Sequence, residues 1–560
     1  MTLGRRPFVT GLGALGAVSL LPAAAHAAPA PVPPQAAPLR TAKAAGTAAT
    51  RADGSRIAVE PTDTPDQLVA KAAQLRPTER QIAWQRLERT AFLHFGVNTF
   101  TGLEWGTGDE DPDVFQPVGL DTDQWARALR DGGFSLAILT VKHHDGFVLH
   151  PTRYTRHSVA ASTWEAGRGD VLRSFADSMR AHGIKVGVYI SPADENQYLH
   201  GVYANGSART PRTVPTLVEG DDRAGRDDLP AFQLPATDYG AHMLNHLYEV
   251  LTEYGPVDEV WFDGAQGRIP PEHVEVYDWD SWYELIRTLA PQAAIAVSGP
   301  DVRWVGNEDG SARENEWSTV PVKAVANGRT DFALSYDTPD QGGRDALVRA
   351  LPATDYLQWW PAECDVSIRP GWFFHENERP KTAQQLTDLY FRSVGRNAVL
   401  LLNVPPDRQG RFAAADVAAL AAFAERVRRE LPADLARGAR ARGDGTGPGL
   451  AVDGDPDTSW AAPAPSAGTL TLDLGAATAV DRIRLAEEIR HGQQVEGAVV
   501  EAEQAGAPGG WTEVARTGTV GASRILLLPA PVTARRWRLR ILASREPARI
   551  AEFGLYRSAV

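Results

Sequence analysis

Cysteine is almost absent: the chain of 560 residues holds one, Cys364. No intrachain disulfide can form, which suits a protein that crosses a membrane already folded. Cys364 itself is read as a small buried apolar residue rather than a nucleophile. Positive charge is also short. With 57 Lys and Arg against 70 Asp and Glu, the net charge is −13, which argues against a nucleic-acid partner, whose phosphates need a basic surface. Beyond the N-terminus no run is apolar enough to span a bilayer, and no repeat of fixed period is present. What remains is ordinary soluble-protein composition, 43% hydrophobic and 23% charged, long enough for two to four domains and a large core. The 15 tryptophans suit packing against the C–H faces of sugars, and suit core packing equally well.

At the N-terminus, Arg5-Arg6 precede an apolar stretch from Phe8 to Ala25, and Ala25-His26-Ala27 has the small-x-small form of a cleavage site. The stretch is weakly hydrophobic, too poor for a stable membrane anchor. Residues 1–27 therefore read as a twin-arginine export signal, and the mature protein as secreted and free of the membrane. Residues 28–60, rich in Ala, Pro and Thr, read as a linker.

Over 61–436, short apolar runs alternate with amphipathic stretches. Strands are expected at Ala91–Thr99, Leu136–Lys142, Lys185–Ser191, Val257–Asp263, Ala294–Ser298 and Ala398–Val404, with two more between Thr330 and Ile368. Helical patterns fall at Asp123–Asp131, Val171–His182, Ala241–Tyr254, Trp279–Leu289 and Ala383–Val394. This is the α/β pattern of an eight-stranded (β/α)8 barrel, and it puts chemistry at the C-terminal ends of the strands. From 437 to 560 the period changes to two, with strands expected at Thr469–Leu474, Asp481–Ala486, Val495–Ala502 and Trp537–Ile541. A separate C-terminal β-sandwich is implied.

Three motifs carry chemistry. In Val257-Asp258-Glu259-Val260-Trp261-Phe262-Asp263-Gly264 an apolar strand ends in an acid, which puts Asp263 at the barrel mouth. A carboxylate there can attack an anomeric carbon or cap the next helix, and the octapeptide alone leaves both readings open. Lys142-His143-His144-Asp145-Gly146-Phe147 also follows a strand. Its histidines invite a metal, but adjacent side chains diverge and no spaced third ligand is evident; donation to and acceptance from sugar hydroxyls is preferred. Phe92-Leu93-His94-Phe95-Gly96, followed by Glu104-Trp105, would bring a third polar group to the same mouth.

Together these segments resemble glycoside hydrolase family 29, the α-L-fucosidases, across most of residues 76–410. Asn397-Ala398-Val399-Leu400-Leu401-Leu402-Asn403-Val404-Pro405 is similar to that family's final barrel strand. The resemblance implies a distorted barrel, retention of configuration, and Asp263 as nucleophile. It implies fucose contacts from His94, Glu104, Trp105, His143, His144 and Tyr189, with Trp261 as floor and Trp372 as a wall against the fucose methyl group. Phe92–Thr101 with Glu104-Trp105-Gly106 looks more like the branch acting on α-1,3 and α-1,4 linkages. The acid/base falls in a variable loop. Glu308, in a segment resembling the linkage-specific branch, is preferred, with Glu314 and Glu316 as alternatives. The C-terminal stretch resembles the discoidin or coagulation-factor type C sandwich through Asp453–Trp460, Leu470–Gly475 and Ile550–Phe553. It is read as a glycan-binding module or a structural prop, and its Asp453–Asp457 turn could hold calcium.

A retaining pair needs its carboxyl groups about 5–5.5 Å apart, with Asp263 ionised and Glu308 protonated at the outset. The implied activity is exo-hydrolysis of terminal fucose from glycans, with no cofactor required. Two competing functions remain: an inactive fucoglycan-binding barrel, and a metal-dependent hydrolase using His143 and His144.

Overall fold

The computed structural model describes residues 53–560 apart from 227, 268, 269, 271 and 272; the expected export signal lies outside the described residues. Eight parallel strands form one sheet: β1 Arg89–Leu93, β2 Leu136–Lys142, β3 Lys185–Ile190, β4 Glu259–Phe262, β5 Ala294–Val297, β6 Arg303–Trp304, β7 Ala362–Ser367 and β8 Ala398–Asn403. They neighbour one another in chain order, with β8 pairing back onto β1, and a bridge between Ala296 and Val302 links the β5 and β6 edges. The barrel is distorted. Helices α1 Thr122–Asp131, α2 Val171–Ala181, α3 Asp238–Glu253 and α4 Trp279–Leu289 follow β1 to β4, while α5 Ala383–Ser393 and α6 Ala414–Glu430 follow β7 and β8. After β5 the chain turns directly into β6. After β6 the strands Thr319–Ala324, Thr330–Phe332 and Tyr356–Trp359 join the N-terminal Arg56–Ala58 in a four-stranded antiparallel side sheet. Arg56–Ala58, inside the span read as linker, is thus a strand.

The strands are largely apolar because both faces are covered, with Glu259, Glu363 and Asp365 as buried exceptions. Alternate residues face the barrel interior, where Phe92, Ile138, Tyr189, Trp261, Ala296 and Leu401 pack together with Trp84. The other face packs on the helices. In α2, Val171, Leu172, Phe175, Ala176 and Met179 form the buried stripe, and Asp170 caps the start by accepting from the Arg173 N–H.

Three expectations need correction. The strand expected over Ala91–Thr99 ends at Leu93, and Val97–Thr101 is a short helix closed by Gly102 at φ 74°, because Phe95 leaves the sheet to pack on Phe115 and Trp125. Between Thr330 and Ile368 only Ala362–Ser367 joins the barrel; Thr330–Phe332 and Tyr356–Trp359 belong to the side sheet. The missing barrel strand is β6, two residues with no apolar run to announce it.

The C-terminal region is an antiparallel β domain. Two strands expected separately, Thr469–Leu474 and Asp481–Ala486, are one strand, β9 Thr469–Glu487, interrupted by bulges. It pairs with β12 Arg524–Ser544, which contains Trp537–Ile541 and also pairs with β10 Val495–Glu503; β11 Trp511–Thr517 and β13 Arg549–Tyr556 complete the main ladder. Leu470, Leu472, Ile483, Leu485, Val500, Trp537, Leu539 and Phe553 fill its core.

Candidate active site

Period-two geometry assembles the site. Asp263 lies two residues beyond Trp261, Ser191 two beyond Tyr189, His94 two beyond Phe92 and Asn403 two beyond Leu401, so each continues an interior-facing row to the barrel mouth. The Asp263 side chain is 28% exposed. Its Oδ2 accepts from the Tyr189 hydroxyl at 3.0 Å and its Oδ1 from the Ala265 N–H at 2.9 Å. His144 Nε2 stands 3.7 Å from the same Oδ2, and its Nδ1 is paired with Ser191 Oγ at 2.8 Å. The indole of Trp105 lies over the His144 ring, centroids 4.2 Å apart.

His143 packs between His144, His94 and Tyr189. His94 Nδ1 is fixed by Asn403 Oδ1 at 2.8 Å. Burial lowers the His94 pKa to about 4, against the opposing hydrogen bond from Asn403. Burial, with His144, His94 and Lys142 nearby, holds His143 well below the ordinary range. Both rings are therefore neutral near neutrality; His94 gives its one N–H to Asn403 Oδ1, which leaves a lone pair on Nε2, and His143 keeps one N–H and one lone pair. Burial and then the Asp263 charge push Tyr189 well above the usual phenol range, so it remains a donor.

Glu104 reaches across the mouth. Its Oε1 pairs with His375 Nε2 at 2.7 Å and its Oε2 accepts from the Trp372 N–H at 2.9 Å. The Trp372 carbonyl accepts from Asn403 Nδ2 at 2.7 Å, and its indole packs on His94 with ring centroids 5.1 Å apart. Trp261 stacks on Tyr189 at 5.2 Å, and its indole N–H donates to Glu363 Oε2 at 2.7 Å. Below it Glu259 accepts from Trp84 at 3.0 Å. Burial pushes Glu259 up to about 8, and burial with the Glu259 charge pushes Glu363 well above the carboxylate range; two such carboxyls cannot both ionise there.

Nine of the ten residues singled out from the sequence thus form one contiguous cluster. The tenth, Glu308, is exposed in the loop after β6. It lies close enough for its charge to raise Asp365, a buried carboxyl that burial already pushes up and that accepts from the Trp304 indole at 2.8 Å. The two alternatives sit elsewhere. Glu316 is wholly buried between Arg303 and Arg313. Glu314 is paired with Arg396 and with Arg524 of the β domain. His375, Ser191, Asp365 and Glu363 were missed; Ser191 and Glu363 each sit in a strand row facing the interior, a signal that could have found them.

The Asp453–Asp457 turn is bonded within itself, Asp453 accepting from Asp455 N–H at 2.9 Å and Thr458 Oγ1 at 2.8 Å. Asp457 is paired with Arg86 of the barrel and Arg490. Asp457, through Arg86, serves the joint between the two domains.

A parallel barrel with a semi-exposed carboxylate at its mouth, ringed by neutral histidines and indoles, defines a hydrolase acting on sugars. The chain matches the family described as alpha-L-fucosidase over residues 78–429 and the F5/8 type C domain over 438–553. It is 36% identical over 490 residues, 86% of this chain and 87% of the relative, to alpha-L-fucosidase 1 of Arabidopsis thaliana. It superposes on a solved Bacteroides ovatus chain with TM-score 0.76 and 37% identity, covering 90% of this chain and 78% of that one. A Ruminococcus gnavus GH29 fucosidase, solved in complex with fucose, gives TM-score 0.69 and 28% identity over 86% of this chain and 95% of its own. The chain belongs to the α-L-fucosidase family, glycoside hydrolase family 29, and is a glycoside hydrolase. Among the described residues no helix is long and apolar enough to cross a membrane.

Proposed function

We propose that this protein is an exported, retaining exo-α-L-fucosidase that releases α-1,3- or α-1,4-linked terminal fucose from fucosylated glycans, with Asp263 as nucleophile and Glu308 as acid/base. The observation that carries this reading is the Asp263 carboxylate, partly open to solvent and held by the Tyr189 hydroxyl and the Ala265 N–H inside the histidine and indole cluster. In the first step an Asp263 oxygen attacks C1 of fucose while Glu308 gives its proton to the glycosidic oxygen, so the C1–O bond breaks as the ester forms. In the second, Glu308 takes a proton from water, the water oxygen bonds to C1, and the ester bond breaks to free Asp263. Inversion twice restores the α configuration. The neutral His94 and His143, with His144, Trp105 and Glu104, are assigned to the sugar hydroxyls, Trp261 to the floor and Trp372 to the methyl group. The pair requires no cofactor.

Glu308 is favoured because Glu316 is wholly buried between Arg303 and Arg313 and Glu314 is paired with Arg524 of the β domain, while Glu308 lies in the loop that leaves the C-terminal end of β6, in a segment resembling the linkage-specific branch. The linkage preference rests on the likeness of Phe92–Thr101 and Glu104-Trp105-Gly106 to the linkage-specific branch. Export rests on the N-terminal motif, with residues 1–27 as signal, 28–60 as linker, 61–436 as catalytic domain and 437–560 as a discoidin-like domain. Fucose release from an α-1,3/1,4-fucosylated Lewis trisaccharide, set beside an α-1,2-fucosylated lactose, tests the reading. Turnover of the first well above the second is expected. Equal rates would remove the linkage assignment, and inactivity on every fucoside would remove the function.

A further inference from the structure

We infer that His150, His246 and Glu249 form a binding site for a divalent transition-metal ion of the zinc class, outside the catalytic cleft, joining the loop that carries His143 and His144 to helix α3. The inference stands independently of the fucosidase reading. On α3, His242, His246 and Glu249 recur at intervals of four and three residues, so they share one face, and they are enclosed beneath the loop that follows β2. That loop brings His150 to the same place. His150, His246 and Glu249 each present a ligand atom, all three residues are buried, and these atoms lie within 4.8 Å of one another. Zinc takes imidazole nitrogen and carboxylate oxygen at about 2.0–2.2 Å, so an ion would draw them somewhat closer. His150 Nε2 and Glu249 Oε2 are already 3.4 Å apart, about the edge of a tetrahedral zinc site at those bond lengths.

The donor chemistry agrees. His150, His246 and Glu249 are all buried, so bulk water does not compete for their donor atoms. His242 Nε2 stands 3.1 Å from His246 Nε2, a hydrogen-bonding neighbour that orients the His246 ring. Glu249 is oriented as a ligating carboxylate usually is. Its Oε1 accepts from the Arg153 N–H and guanidinium at 3.1 and 2.8 Å, and its Oε2, facing His150, accepts from the Thr152 hydroxyl at 2.6 Å. Glu249 supplies a carboxylate to the cluster and faces His150. Imidazole with one carboxylate suits zinc, cobalt or nickel rather than calcium or magnesium.

The test uses the whole protein, stripped with a chelator, dialysed and titrated with zinc sulfate, with bound metal read by elemental analysis and unfolding by calorimetry. A parallel titration with cobalt(II) is read by visible absorption. The expected result is saturable uptake of about one ion per chain at micromolar zinc, a Tm several degrees higher, and the intense bands of tetrahedral cobalt. All three should be lost in His246→Ala and in Glu249→Gln, with His150→Asn as the substitute if either does not fold. Absence of saturable uptake by the wild-type chain would overturn the assignment. So would equal uptake by the variants, which would place the ion on surface histidines.

Discussion

Asp263 is placed by strand geometry. Two residues beyond Trp261, it continues an interior row to the point where the sheet ends, and Tyr189 and Ala265 then fix both of its oxygens. This much was legible, because a strand ending in Asp-Gly puts an acid at a barrel mouth whatever its role. His94 was legible from its strand as a group near the same mouth, whereas Tyr189 came only from the family resemblance. Asn403, which fixes the His94 ring, sat in a recognised strand without a recognised purpose, and His375 carried no local signal, since it lies in a loop and its partner Glu104 is 271 residues away in sequence. Glu308 is the residue whose role the sequence left most open. Glu308→Ala is expected to lower turnover of natural glycosides by about 10²–10⁴-fold, the usual worth of general acid catalysis. Fucosides with excellent leaving groups should lose far less in the first step, and added azide should yield α-fucosyl azide. Unchanged turnover of a natural linkage would move the acid/base elsewhere.

At the scale of elements, long apolar strands and capped helices declared themselves, and β6 did not. Arg303–Trp304 is too short to show a period, and its position depends on a buried polar group: Arg303 donates to Glu316 and to the Trp317 carbonyl, while Arg313 meets Glu316 from the other side. Sequence reasoning kept Glu316 as an alternative acid/base because nothing local reveals an arginine that will be buried with it. Removing one member of such a group leaves an uncompensated buried charge. Glu316→Gln should therefore destabilise the fold by about 3–5 kcal/mol, seen as a lower midpoint in urea unfolding. Turnover of the folded fraction at low temperature should keep the wild-type dependence on leaving group. Wild-type stability with a changed leaving-group dependence would show that Glu316, not Glu308, serves catalysis.

Across the whole molecule, the barrel and β domain are joined by ion pairs. Arg484 meets Glu88, Arg490 meets Glu79, Arg86 meets Asp457 and Arg524 meets Glu314. The two-domain order was legible from the change of hydrophobic period, whereas these pairs, hundreds of residues apart in sequence, were not. Buried titratable groups set the response to pH. His94 falls from an ordinary 6.5 to about 4, and His143 and His246 fall with it. The unfolded chain then binds more protons, so stability is full above pH 6.5 and is lost as pH falls toward 4. Glu259 rises from 4.5 to about 8, and Glu363 and Asp365 rise with it. Here the folded chain binds more protons, so stability is full below pH 4.5 and is lost as pH rises toward 8. Each group contributes about 1.4 kcal/mol per pH unit within its window. The opposing slopes overlap between 4.5 and 6.5, and Tm measured across pH 4–9 should peak there. A Tm still rising at pH 8 would show that the interior acids are ionised without cost.

The central claim is that Asp263 makes the bond to fucose. Asp263→Ala, assayed with an activated aryl fucoside, isolates it. Loss of turnover by about 10⁴-fold or more is expected, with partial recovery in azide and accumulation of β-fucosyl azide, since azide would enter from the face the carboxylate had occupied. Near wild-type turnover without azide, or recovery giving only the α-azide, would contradict the account.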